Sequence, residues 1–176
     1  MKKLLVLVLS LCLLCGCAFA EGDGNVITWD QVLPTVEGAG LTGDFVVFDQ
    51  LGLKIWLPSQ LLPYEVSEED AAAGRLAAYM AEDQSAYLVI DAIHIDNMTL
   101  DQLAENAKAS ASDVDVCSTN GLSGVSYKND AADLYTFALV DTNSNIISFS
   151  MGPVSADPEN AKLVFSVIMA SLQPAE

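Results

Sequence analysis

A chain of 176 residues with 24 acidic and seven basic side chains carries a formal charge of −17, which disfavours nucleic acid and anionic membrane surfaces, since both are bound through Lys and Arg that displace counterions. The length suffices for a domain with a full hydrophobic core. Four cysteines and one histidine leave little material for a thiolate metal cluster or for imidazole catalysis.

The N-terminus reads as an export signal. Lys2 and Lys3 precede an apolar run from Leu4 to Leu14, broken only by Ser10, and Ala18-Phe19-Ala20 supplies a small-x-small cleavage pattern. That run is shorter than the roughly 20 residues needed to span a bilayer. The expectation is therefore a signal peptide over residues 1–20 and an extracytoplasmic protein, secreted or lipid-anchored at the outer face of the membrane. Leu14-Cys15-Gly16-Cys17 also resembles a bacterial lipobox. It offers a competing outcome: a lipoprotein signal over residues 1–16 and lipidation at Cys17, giving a lipid anchor. Without residues 1–20, five basic residues face 24 acidic ones, a net charge of −19. No later segment has the length and apolarity of a transmembrane span. The acidity fits solubility outside the cell.

Residues 21–41 read as a lead followed by a short helix. Thr28-Trp29-Asp30-Gln31 has capping-box spacing, and Pro34 with Gly38 and Gly40 predicts an early end. Residues 42–176 read as one globular domain. Strand signals at Asp44–Phe48 and Leu53–Leu57 flank an Asp-Gln-Leu-Gly turn, and Pro58 closes the second. Ser67 begins a short acidic helix ended by Gly74. A strand pair follows at Leu76–Met80 and Ala86–Ile95. Thr99 and Gln102 form a second box opening a helix whose Leu100, Leu103, Ala104 and Ala107 share a face. Short strands at Val114–Cys117, Leu122–Lys128, Leu134–Val140 and Ile146–Met151 are separated by turn formers. Asp157-Pro158 opens a final helix with Ala161, Val164, Phe165, Ile168 and Leu172 as its stripe. About eight strands in hairpin sequence, flanked by helices including a C-terminal one, predict an α+β domain with a mainly antiparallel sheet.

The candidate chemistry is sparse. His94 lies in an apolar strand with Asp91 and Asp96 near in sequence, but a triad also needs an activated nucleophile. Gly121-Leu122-Ser123-Gly124 has its second glycine one residue too early for a nucleophile elbow, and no Ser-x-x-Lys occurs. Asp141-Thr142-Asn143-Ser144-Asn145 imitates the start of a calcium loop, yet Ile146 and Gly152 stand where Gly and Glu are required; a polar turn accounts for it better. Glu68-Glu69-Asp70 and Asp113/Asp115 offer carboxylate pairs of the kind glycosidases use. Cys117, among apolar neighbours, reads as a small buried hydrophobe. Trp29, Trp56 and Tyr64 read as core rather than as a binding platform. No phosphate-binding glycine loop occurs. No catalytic, cofactor-binding or metal residues are assigned, and no cofactor is expected.

Gly52-Leu53-Lys54-Ile55-Trp56-Leu57-Pro58, Thr99-Leu100-Asp101-Gln102-Leu103, Asn120-Gly121 ahead of Tyr127, and Phe165 to Leu172 occur in an order that resembles the fold shared by PsbP, the extrinsic photosystem subunit, and the DcrB-like bacterial lipoproteins. The resemblance spans most of residues 42–173. It implies a non-enzymatic assembly, binding or accessory protein and brings no catalytic residues with it. The expected function is a non-catalytic extracytoplasmic binding or accessory module, its expected partner an unknown protein or a cell-envelope component. The alternative is a small carboxylate-dependent hydrolase acting on glycans.

Overall fold

The computed structural model describes residues 28–175; the signal read over residues 1–20, the lipidation residue Cys17 and most of the lead lie outside them. The elements run in chain order as α1 (Trp29–Gly38), β1 (Gly43–Phe48), β2 (Leu53–Pro58), β3 (Leu61–Tyr64), α2 (Glu68–Ala72), β4 (Arg75–Ala81), β5 (Tyr87–His94) and α3 (Leu100–Ser110). They continue as β6 (Ser112–Thr119), β7 (Leu122–Asn129), β8 (Leu134–Val140), β9 (Asn145–Gly152), α4 (Pro158–Ala170) and β10 (Gln173–Pro174). The α+β class, the antiparallel pairing and the C-terminal helix follow the sequence reading. Among the described residues the strands number ten rather than about eight, and they form two sheets, β1-β2-β10 and β3-β4-β5-β9-β8-β7-β6. The two additional strands, β3 and β10, are short and carry Pro63 and Pro174. Edge strands tolerate proline, but periodicity over two to four residues is invisible.

The described residues form two compact units. The first comprises residues 28–59, 118–122 and 163–175. Gln31 Oε1 accepts from the Thr28 backbone at 3.1 Å, as the box requires. Helix α1 runs through Pro34 and ends at Gly38, the first of the two glycines expected to stop it. Proline forfeits only the bond to the exposed Asp30 carbonyl, while Val36, two residues further on, is buried with Trp56, Leu163 and Val167. Trp29 lies against Trp56, with ring centroids 5.4 Å apart, and meets Phe45 edge-on. Gly43 is glycine because a Cβ there would overlap the Leu57 carbonyl.

The same unit is closed by side chains on the turn between β6 and β7. Asn120 Nδ2 donates to the carbonyls of Ala170 and Leu172, both at 2.8 Å, and Thr119 Oγ1 donates to Met169 at 3.1 Å. Met169 and Ala170 end the helix, where carbonyls lack intrahelical partners, and a distant turn supplies donors to both and to the Leu172 carbonyl just beyond. Fully buried Ser171 accepts from the Trp56 amide at 2.8 Å and donates to the Ile168 carbonyl at 2.6 Å.

The second unit comprises residues 60–117 and 123–162. Register places Ile90, Phe149 and Phe137 in one row across β5, β9 and β8. Leu88, Ile90 and Phe149 are wholly buried, so this sheet face carries the core. On the opposite face, Leu103, Ala104 and Ala107 of α3 pack on Val125 and Ala138. Gly124 is glycine because its Cβ would overlap the Phe137 ring.

Candidate functional site

Helix α3 roofs only part of its sheet face. Strand alternation sends Leu62, Tyr64, Met80, Tyr87 and Val89 to that same face, on the β3-β4-β5 side. Leu62 is 49% and Tyr64 58% exposed, and Met80, Tyr87 and Val89 are half-buried. Tyr64 therefore corrects the reading of it as core; Trp56 is core, and Trp29 is half-buried against it. A recess of about 230 Å³ opens here, lined by Tyr64, Val66, Arg75, Met80, Tyr87 and Val89 among others.

Helix α2 forms one bank of the recess. Ser67 caps it, accepting from the Asp70 amide at 3.1 Å and donating to the Asp70 carboxylate at 2.6 Å. Gly74 ends it at φ +105°, where a Cβ would come within 2.6 Å of the Ala92 carbonyl. Arg75 donates to Asp91 at 2.9 Å and sits 3.5 Å from Asp70. The single cation lining the recess is thus spent on two carboxylates. Exposed Glu65 is also in the lining, and exposed Glu68 and Glu69 share α2 with the lining residue Asp70. The recess thus has an apolar, aromatic floor with carboxylates beside it.

His94 lies at the end of β5, where its register partner is Asn145. Its Nδ1 faces Asn145 Oδ1 at 3.1 Å and its Nε2 faces Asp96 Oδ1 at 3.0 Å. Asn145 Nδ2 is committed to Asp141 Oδ2 at 2.7 Å, so both ring nitrogens face acceptors and only the imidazolium satisfies both. The hydrogen bond to Asp96, then that to Asn145, raise the His94 pKa above its ordinary value. A raised pKa contributes stability that is present below the unfolded value and lost as pH rises through the folded one. NMR titration of this sole histidine should give a midpoint above the ordinary histidine value, returning toward it in Asp96→Asn. An unshifted midpoint in the parent chain would contradict the geometry.

The remaining sequence candidates do not converge. Asp141 spends its carboxylate inside its own turn, accepting from the amides of Asn143 at 2.7 Å and Asn145 at 2.9 Å. Burial pushes its pKa up, but bonds from the Asn145 side chain and these amides hold the carboxyl below its usual range. The segment forms a polar turn closed by its own side chains. Asp113 and Asp115 are exposed on edge strand β6. Asp96, Asp101 and Glu105 line an open depression of about 390 Å³, but Asp96 is engaged with His94 and Glu105 with Lys108 at 2.8 Å. Among the described residues, no three His, Cys, Asp or Glu side chains are grouped to hold a metal ion.

Cys117 is half-buried rather than fully buried. Desolvation, with the nearby Asp115 carboxylate second, pushes its thiol up to about 11. The thiolate is the reactive form, so labelling near neutral pH should run on the order of 100-fold slower in the native protein than after denaturation. Equal rates would overturn this account.

No protein-family model matches the chain, and no curated protein sequence matches it. Its fold is similar to the solution structure of cyanobacterial PsbP (CyanoP) from Synechocystis sp. PCC 6803, with a TM-score of 0.56 at 10% identity, covering 76% of this chain and 93% of that one. The PsbP side of the resemblance seen in the sequence is thus a likeness of fold; the DcrB-like side rests on the motifs alone. Among the described residues, no helix is long and apolar enough to cross a membrane.

Proposed function

We propose that this protein is a non-catalytic extracytoplasmic accessory module that binds a partner protein through the open β3-β4-β5 face. The observation that carries the reading is the contrast within one sheet face. Helix α3 buries Val125 and Ala138, whereas Leu62 and Tyr64 stand about half exposed beside a recess. Large exposed apolar side chains gathered in one patch mark an interaction surface. The PsbP-like fold supports the accessory role, and the N-terminal signal supports export. The glycan-hydrolase alternative lacks an enclosed carboxylate pair among the described residues.

The test is a photo-crosslinking residue placed at position 64 or, as a control, at exposed position 113, in the envelope of the source cell. A discrete cross-linked protein is expected from position 64 and not from 113. Identical products from both positions, or none from 64, would refute the contact surface. Glycan turnover abolished by one Asp or Glu substitution that leaves the fold intact would refute the non-catalytic reading.

A further inference from the structure

The structure assigns the open face to a particular kind of partner: a basic amphipathic helix. The inference rests on the proposed binding role of this face and specifies its occupant. Three neighbouring strands at a spacing of about 4.8 Å offer a strip roughly 10 Å wide between their axes, close to the diameter of one helix with its side chains. The other part of the same face is already roofed by a helix, α3, through Leu103, Ala104 and Ala107. A second helix would complete that layer over Tyr64, Met80, Tyr87 and Val89. Strand addition at the adjoining edge is interrupted, since Pro63 in β3 offers no N–H.

Charge specifies the helix further. Glu65 and Asp70 line the recess, exposed Glu68 and Glu69 lie beside Asp70 on α2, and Arg75, the only basic lining residue, is held by Asp91 and Asp70. A partner helix with Lys or Arg flanking its apolar stripe meets the carboxylates while its stripe covers the aromatic floor. The exposed Tyr64 ring offers such a cation a π face. A second copy of this chain is a poor occupant: it carries the same acidic rim and a charge of −17.

The probe is a fluorescein-labelled 16-residue helix of leucine and lysine, with leucines on one face, titrated against the full chain by anisotropy. Its counterpart has glutamate for every lysine. Saturable binding of the lysine peptide is expected, weakened at least 10-fold by Tyr64→Ala and by Glu68→Lys with Glu69→Lys. Asp113→Lys with Asp115→Lys should leave it unchanged, which separates the site from the general attraction of an acidic protein. Equal affinity for both peptides, or equal losses from the two charge-reversal pairs, would overturn the inference. So would a dimer in sedimentation that dissociates on Tyr64→Ala, since a second copy would then own the face. Cross-linking from position 64 persisting in any of these cases leaves the binding role standing without the cationic helix; its loss removes both.

Discussion

Phe149→Ala should destabilise the protein by about 3–5 kcal/mol, the usual range for deleting a fully buried phenylalanine. Phe149 is 0% exposed and stands between Ile90 on β5 and Phe137 on β8. Its removal leaves a void walled by strands on both sides, and paired strands collapse poorly into such a space. Tyr64→Ala is the matched control on the other face of the same sheet, where the ring is 58% exposed. That change should stay within about 0.5 kcal/mol. Urea denaturation followed by circular dichroism measures both. If the two substitutions cost the same, Tyr64 is structural and the open face is not free for a partner.

Asn120→Ala should cost about 2–4 kcal/mol, through two separable contributions. The carboxamide donates two hydrogen bonds to the carbonyls of Ala170 and Leu172, and leaving partly buried carbonyls unpaired costs about 1–3 kcal/mol each before relaxation and hydration reduce it. The backbone of Asn120 also has φ +46°, which alanine adopts at a cost of about 1 kcal/mol. Asn120→Gly keeps the left-handed backbone easy and removes only the side-chain bonds, so it should be about 1 kcal/mol less damaging than alanine. Trp29 and Trp56 both lie in the same unit as this cap, so tryptophan fluorescence reports its unfolding directly. An alanine variant within about 0.5 kcal/mol of the parent would mean that water serves those carbonyls equally well.

What could be read from the sequence was local. The Thr99/Gln102 box and the stripe of Leu103, Ala104 and Ala107 sit within nine residues and needed no knowledge of the fold. Strand β8 was legible for the same reason. The end of helix α1 at its glycines was legible, but its passage through Pro34 was not, because the compensation, Val36 buried with Trp56, Leu163 and Val167, comes from positions far along the chain. Leu163 and Val167 were likewise absent from the predicted stripe of α4, whose buried surface extends beyond one face. Of the groups around His94, Asp96 is a sequence neighbour, but Asn145 reaches it only through the β5-β9 register. Tyr64 was read as core because large aromatic side chains usually are, and the sequence does not show that a sheet face is left without a helix over it. The signal that would have found it was Leu61-Leu62-Pro63-Tyr64, where a proline flanked by large apolar residues marks an edge strand.

The first unit draws on three stretches of chain, and β2 pairs with β10 across more than a hundred intervening residues. Contacts of such long sequence separation form late, since loop closure must precede any reward from pairing. A ribosome or translocon feeding the chain out from its N-terminus would therefore release α1, β1 and β2 well before the strand and helix end that complete them exist. Trp56 and the edges of its sheet would wait uncovered through most of synthesis, the interval in which a holdase has something to grip.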